Sequence, residues 1–387
     1  MFNYVKKLLI LNAMCGSIVA ASGGMVMLTP PDLSPENFIG YNIGHRPCRS
    51  KGLRLEPELV TASNGKEKLL VHNYGHGGAG VSLSWGCADI VEQMIFDNGL
   101  SVPGLDTKSV AVIGAGVIGM TVAHILLARG YKVCVYAQAT TPDTMSNVAV
   151  GVFYPDLGVS MDDAIMLERI KQSAKQAMQE IVNKNMFKGA RLAPGYYFSD
   201  TDIEAANPED CKMVDFGFGV EPRLAAFREV ITVDISVYLQ DLYEKMLERG
   251  ARVERCIFDS KEEIFDVPED IIVNCSGMAS KKLFHDDSLY AVRGEILYFK
   301  AQPGVDYRLH YAVPGSDVFT SLSTWDDRII IGGSLEREVD HYEVDEDICN
   351  GLYGNMQNLI KPDCALDYLS TDQLVPADYC NVILRDK

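Results

Sequence analysis

Residues 112–119 read Val112-Ile113-Gly114-Ala115-Gly116-Val117-Ile118-Gly119 and set three glycines at the spacing Gly-x-Gly-x-x-Gly. That spacing serves dinucleotide binding. The first glycine permits a tight turn, the second lets backbone approach a pyrophosphate, and the third lets a helix pack on its strand. The phosphates then lie at a helix N-terminus, where free N–H groups and the helix dipole favour anions. Alone the motif is a weak signal, so its flanks decide. Ser109 to Ile113 reads as a strand, Met120 to Arg129 as a helix stopped by Gly130, and Lys132 to Ala137 as a second strand. The acid expected at the end of that second strand, which would take a ribose hydroxyl, is replaced by Gln138. Glutamine accepts the same hydrogen bond without charge, so this unit by itself leaves NAD and FAD undistinguished.

Other elements must position this unit. A second glycine-rich run comes earlier, Gly75-His76-Gly77-Gly78-Ala79-Gly80, followed by Trp85-Gly86-Cys87-Ala88. Leu69 to His72 before it reads as a buried strand. A helix of about 83–96 follows, with Ile90, Met94 and Ile95 on one face and Asn98-Gly99 as its stop. Residues 97–108 read as a connecting loop. Downstream, 162–186 and 235–249 read as amphipathic helices, 271–275 as a buried strand, 287–333 as alternating strands and 343–360 as a final helix. No short internal repeat is visible.

At 387 residues the chain is long enough for two cores, and its 47% hydrophobic content is that of a globular protein. A net charge of −18 repels phosphate backbones and argues against a nucleic-acid partner. The ten cysteines show no Cys-x-x-Cys spacing and read as small apolar core residues; no His and Cys cluster suggests a metal. Lys6 and Lys7 precede an apolar stretch, 8–21, with small residues at its end. It reads as an export signal, with a buried strand or helix as the alternative, and it is too short and interrupted for a stable membrane span. An exported or a cytoplasmic location stays open.

Both glycine-rich runs are similar to segments of the D-amino-acid oxidase family of flavoenzymes. So are Thr144-Met145-Ser146-Asn147-Val148-Ala149-Val150-Gly151 with Phe153-Tyr154-Pro155, the strand end Asn274-Cys275-Ser276-Gly277, and Arg293-Gly294-Glu295. Gly44-His45-Arg46-Pro47, Arg54-Leu55-Glu56 and His72-Asn73-Tyr74 complete the likeness. In that family the 112–119 run opens the chain and the 75–80 run nearly closes it. Here they are reversed, so the resemblance implies a circularly permuted member.

The implied fold is α/β: a Rossmann-like FAD-binding domain with a second α+β substrate domain, in permuted order. The expected division is a signal segment at 1–22, FAD-binding residues 38–158 and 232–283, substrate-binding residues 159–231 and 284–362, and an unassigned tail at 363–387. The implied cofactor is FAD, held by Gly114, Ala115, Gly116, Val117, Ile118 and Gly119, by Gln138 at the ribose, by Thr144, Ser146, Asn147 and Gly151, by Ser276 and Gly277, and by Gly75, Gly77 and Ser82. Arg46 is implied to take a substrate carboxylate, a task its planar guanidinium does with two parallel hydrogen bonds. Tyr311 would touch the same carboxylate, Tyr307 would be a second, mobile tyrosine, and the carbonyl of Gly78 would accept from the substrate amine. His76 is assigned a structural role. Arg308 could serve an acidic substrate or face solvent.

The implied reaction is oxidation of D-amino acids by hydride transfer from Cα to flavin N5. Oxygen would return the flavin to its oxidised state, giving peroxide, a 2-keto acid and ammonia. Glycine- or sarcosine-type amine oxidation, a dehydrogenase, and a flavin-binding protein without activity are the alternatives. The expected partners are a small amino acid and oxygen, with a homodimer as an admissible assembly.

Overall fold

The structure, a computed structural model, describes residues 24–99, 104, 106, 108–155, 159–312, 319–362 and 367–377. The expected export segment and most of the tail lie outside these residues. Two sheets organise the rest.

The first has six strands, in the spatial order Arg252–Arg255, Lys132–Ala137, Ser109–Ile113, Ile271–Asn274, Glu67–Tyr74 and Arg54–Thr61. All neighbours are parallel except the last pair. The central strands are apolar on both faces because both faces are covered. Val71, Val112 and Val273 pack under helices Gly80–Gly99, Val117–Ala128 and Ala164–Asn183, while Leu70, Ala111 and Ile272 face Ile264 and Leu283. The expected helix at about 83–96 starts three residues earlier and ends three later, and the expected strand–turn–helix–strand unit is present. Gly86 is where two helices touch backbone to backbone: a β-carbon there would lie 2.0 Å from the carbonyl oxygen of Ile170.

The second sheet has ten strands. Its order is Met25–Met27, Cys211–Asp215, Arg223–Val233, Ala190–Phe198, Arg308–Ala312, Phe319–Thr324, Arg328–Gly332, Leu289–Lys300, then Glu336–Arg337. Phe38–Arg49 also pairs with Leu289–Lys300, antiparallel, from Leu289 opposite Arg49 to Phe299 opposite Phe38. This corrects the expected division, which put residues from 38 onward in the dinucleotide-binding half. Tyr41 and Ile43 explain the placement: they join Leu297, Leu309, Ile331 and the helix Glu346–Ile360 in one apolar cluster, which the six-stranded sheet does not offer. The opposite face of the large sheet turns toward the dinucleotide half, where Ile296, Tyr298 and Ile330 meet Val148 and Val150.

The segment 38–99 therefore serves both sheets. Its first strand builds the large one and its next two complete the small one.

Among the described residues, no helix is long and apolar enough to cross a membrane, and no group of three or more His, Cys, Asp or Glu is placed to hold a metal.

Three histidines are sealed inside this fold. Burial pulls His72 and His124 down to about 4 and His76 to about 3. The unfolded chain binds the same protons near ~6.5. Between those values the unfolded state carries more protons than the folded one, so stability is full above pH ~6.5 and falls as pH drops toward 4. The urea midpoint is expected to fall between pH 7.5 and pH 5; a midpoint that holds or rises contradicts the burial of these rings as neutral species.

Candidate functional site

The cradle at 112–119 is built as its glycines require. Gly114 sits at φ +108°, a conformation open mainly to glycine, and a β-carbon there would approach the Cys275 carbonyl oxygen to 2.6 Å. Gly119 is tighter: a β-carbon would lie 1.9 Å from the Gly114 oxygen. Helix Val117–Ala128 then begins behind Gly116. The Val117 N–H donates to the Ser146 hydroxyl at 3.0 Å, and those of Ile118 and Gly119 lie in the first turn, beyond the reach of any helical carbonyl.

Ser146 comes from the short turn Met145–Val148, which a capping box holds: the Thr144 side chain accepts from this turn and Asn147 answers with its own. The Asn147 amide also donates to Thr141 Oγ1 at 3.0 Å. Ser276 lies across the cradle, its hydroxyl donating to Asn274 Oδ1 at 2.7 Å, with Gly277 next to it at φ +57°. Gln138 follows the strand Lys132–Ala137 and is exposed. Gly75 and Gly77 both have positive φ, and the buried Ser82 accepts from the Tyr154 N–H at 2.8 Å, just beyond Gly151. The residues named for the cofactor thus gather at the C-terminal ends of the parallel strands, where open α/β sheets bind ligands.

Two buried polar side chains point the same way. Asn73 is wholly buried with neither Oδ1 nor Nδ2 partnered, and His76 is 3% exposed with Nε2 unpartnered. Asn73 lies on the strand that leads into the glycine-rich run beside the cradle, and His76 belongs to the run itself. Buried polar atoms of this kind cost free energy unless a ligand satisfies them.

Arg46 lies on the large sheet but belongs to this gathering. Side chains alternate along Phe38–Arg49: Tyr41 and Ile43 enter the core against helix Glu346–Ile360, while Gly44, Arg46 and Cys48 take the other face. Gly44 lies against Val148, Cys48 lies against Gly77, and the His45 N–H donates to Met145 Sδ at 3.1 Å. Arg46 is therefore flanked by the Met145–Val148 turn on one side and the 75–80 run on the other.

Its guanidinium crosses Gly294 of the neighbouring strand. A β-carbon on Gly294 would lie 2.5 Å from Nη1 and 2.9 Å from the Ser334 carbonyl oxygen, so glycine leaves the guanidinium its observed path. Nη1 donates to the Ser334 carbonyl at 3.1 Å and, more weakly, to that of Arg293 at 3.4 Å. No carboxylate among the described residues pairs with it. Burial lowers its proton affinity, yet a guanidinium stays charged. The neighbouring Arg293 shows the contrast: it is fully buried and paired with both Glu295 and Glu336.

The two tyrosines are not brought here. The Tyr307 hydroxyl donates to the Thr29 carbonyl at 2.5 Å, and its ring is 2% exposed inside the core under helix Glu346–Ile360. Tyr311 packs on that same core, with the Arg223 guanidinium 6.0 Å from its ring. The phase of the strand is the reason. Leu309 is a core residue, so 307 and 311 share its face, while 308 and 310 take the face of Arg46. Reading Leu309 as the buried position would have put Arg308 and His310, not the tyrosines, on the face of Arg46. Gly78 is exposed at the mouth of the 75–80 run.

A family profile described as FAD dependent oxidoreductase (DAO) matches residues 109–380, starting at the cradle strand. The chain belongs to that family. FAD is therefore its cofactor, and the cradle, the two partnerless side chains beside it and the bare glycine turns fit that group.

Among curated proteins, this FAD-dependent oxidoreductase is 25% identical to a D-amino-acid oxidase of Streptomyces coelicolor over 251 residues, covering 63% of this chain and 75% of the relative. It is 27% identical to a D-aspartate oxidase of Homo sapiens over 259 residues, covering 60% and 70%. Among solved structures, a glycine oxidase from Bacillus cereus overlaps 63% of this chain and 76% of its own, at 17% identity and a TM-score of 0.46.

Replacing Gly119 by alanine forces the cradle turn apart. The variant is expected to purify with native-like circular dichroism but without the flavin absorbance of the parent. A variant that keeps a full complement of FAD would show that the turn is not the phosphate cradle.

Proposed function

We propose that this oxidoreductase oxidises D-amino acids at Cα, with oxygen as the terminal acceptor. The balance is amino acid, oxygen and water going to 2-keto acid, ammonia and hydrogen peroxide. One observation carries the reading: a half-buried guanidinium without a carboxylate partner, aimed over a bare glycine beside the cofactor cradle. Such a charge calls for an anion from outside the chain. An α-carboxylate meets a guanidinium with two parallel hydrogen bonds, which fixes orientation as well as binding.

The chain's own contribution is positional. Arg46 would hold the carboxylate and Gly294 would form the floor under it. The exposed Gly78 would offer its carbonyl to the amino group, so the Cα–H is presented in one direction. Bound FAD supplies the two-electron acceptor. No role is proposed for Tyr307 or Tyr311.

The test is anaerobic mixing with a panel of D- and L-amino acids and N-methylglycine, read by bleaching of the flavin band. D-amino acids are expected to bleach it and their L-enantiomers are not. Arg46→Met is expected to lower kcat/KM by about two to three orders of magnitude, the range for removing a buried charge partner. Bleaching by N-methylglycine alone would move the enzyme to amine oxidation. A variant with unchanged kinetics would remove Arg46 from the site.

We also propose that the chain order is permuted relative to the family. The profile match begins at 109, yet residues 38–99 supply strands to both sheets. The Tyr353 hydroxyl donates to the Leu33 carbonyl, so the helix Glu346–Ile360 lies beside the start of the Phe38–Arg49 strand. An overlay on a D-amino-acid oxidase that ignores chain order is expected to place 38–99 on the relative's last third. If those residues find no counterpart there, the permutation is refuted.

A further inference from the structure

Of the three histidines sealed inside the fold, His76 and His124 each leave a ring nitrogen unpartnered, whereas His72 is partnered at both. His72 shares the face of Leu70 on the strand Glu67–Tyr74, which is turned toward Leu283 and Phe284. Its Nε2 lies 3.0 Å from Glu58 Oε2, and its Nδ1 lies 3.2 Å from Asn274 Nδ2. Asn274 ends the neighbouring parallel strand, directly opposite His72 in the ladder. Both side chains are wholly buried.

Proton positions along this row follow from one backbone group. The Ser276 N–H can only donate, and it lies 3.1 Å from the Asn274 side chain, so the atom it meets is Oδ1. The Ser276 hydroxyl donates to the same oxygen at 2.7 Å. Asn274 Nδ2 is thereby turned the other way, and its two protons go to Ser280 Oγ at 3.1 Å and to His72 Nδ1. Nδ1 must then be the acceptor, and the ring proton sits on Nε2 and is donated to Glu58. Ser280 Oγ closes the network by reaching Ser276 Oγ at 2.8 Å. A hydrogen on Nδ1 would face the protons of the amide. Flipping the amide would set those protons against the Ser276 N–H instead.

The charges around the ring are few. Glu58, Glu56 and Arg54 face it from the antiparallel strand, Asn274 from the parallel one, and the rings of Tyr74 and Phe284 lie edge-on to it. Burial, and after it Arg54, outweighs the two acids and keeps Nδ1 free to accept. At the far end of the row, Ser276 opens the short turn Gly277–Ala279, yet its hydroxyl makes no cap bond because it is drawn back to Asn274. Its Cα and the Cys275 carbonyl stand behind the cradle turn, where a β-carbon on Gly114 would meet both. A shift of Ser276 is therefore a shift of the cradle wall.

We propose that His72 is a positioning residue for the cofactor: with its proton on Nε2, it fixes the orientation of the Asn274 amide and, through it, Ser276 in the wall of the FAD cradle. It acts through Asn274 and not by contact. It rests on FAD occupying that cradle, whichever amino acid is oxidised.

Two measurements on the full chain test this. In the holoenzyme, nitrogen-15 NMR of the imidazoles is expected to show His72 with its proton on Nε2 at neutral pH. In Asn274→Asp the partner at Nδ1 becomes an oxygen, and the ring is expected to take a second proton. The other measurement is the FAD affinity of the stripped protein, read by quenching of flavin fluorescence. His72→Leu and Ser276→Ala are each expected to weaken it about tenfold, the worth of one well-placed hydrogen bond. His72→Asn puts an amide oxygen where Nδ1 stood and is expected to stay within about threefold of the parent. The double variant of His72→Leu with Ser276→Ala is expected to be little weaker than either single one, because both break the same row.

A holoenzyme with the His72 proton on Nδ1 overturns the inference. So does a His72→Asn protein that binds FAD no better than His72→Leu, a Ser276→Ala protein with unchanged affinity, or losses that simply add. If His72→Leu does not fold, the ring proton and the His72→Asn affinity still decide. None of these readouts uses an amino acid, so their failure is distinct from a failure to oxidise one.

Discussion

One stretch of chain, residues 38–99, is shared between two sheets that otherwise have little in common. Its first strand runs the length of Leu289–Lys300, and its third lies parallel to Ile271–Asn274. Every feature of the site depends on that double attachment. The strand that carries Arg46 is fixed to the large sheet, while the glycine-rich run that starts at Gly75, two strands later, is fixed at the end of the small one. The distance between Arg46, the proposed substrate anchor, and the cofactor cradle is therefore set by the two strands that join them. The core clusters on both sides make that connection stiff: Leu53 and Leu55 pack with the helices over the small sheet, and Tyr41 and Ile43 with the helix under the large one.

Charge sorts the buried arginines into two kinds. Those that hold the fold together have their acids supplied by the chain, as Arg293 and Arg328 do. Arg46 has none among the described residues. Burying a guanidinium without its counterion is a cost that folding alone gives no reason to accept. At Arg46 the cost is tempered by backbone carbonyls, which bind without neutralising.

The sequence made the cradle legible because its chemistry is local. Gly114, Gly116 and Gly119, the flanking strand and the helix all lie within a few residues, and each glycine answers a contact that the structure shows. Arg46 was legible through its motif, though nothing local reveals that Gly294 clears its path, since the two lie about 250 residues apart in sequence. Residues 38–49 were misassigned to the other half for the same reason: a ladder partner that distant leaves no trace in the pattern of the strand itself. The tyrosines at 307 and 311 were misplaced by a matter of phase. Spacing of four is the same on either face of a strand, and only the burial of Leu309 decides which face it is.

Gly44 and Gly294 stand opposite each other in the ladder, so beneath the guanidinium of Arg46 two adjacent strands present nothing but main chain. A side chain at 294 would meet the Arg46 guanidinium and the Ser334 carbonyl, so building on that patch asks the arginine to take another path. On the proposed reading, a change in what the enzyme accepts is then easier to make away from this floor. The ladder itself keeps the surface beneath the guanidinium flat.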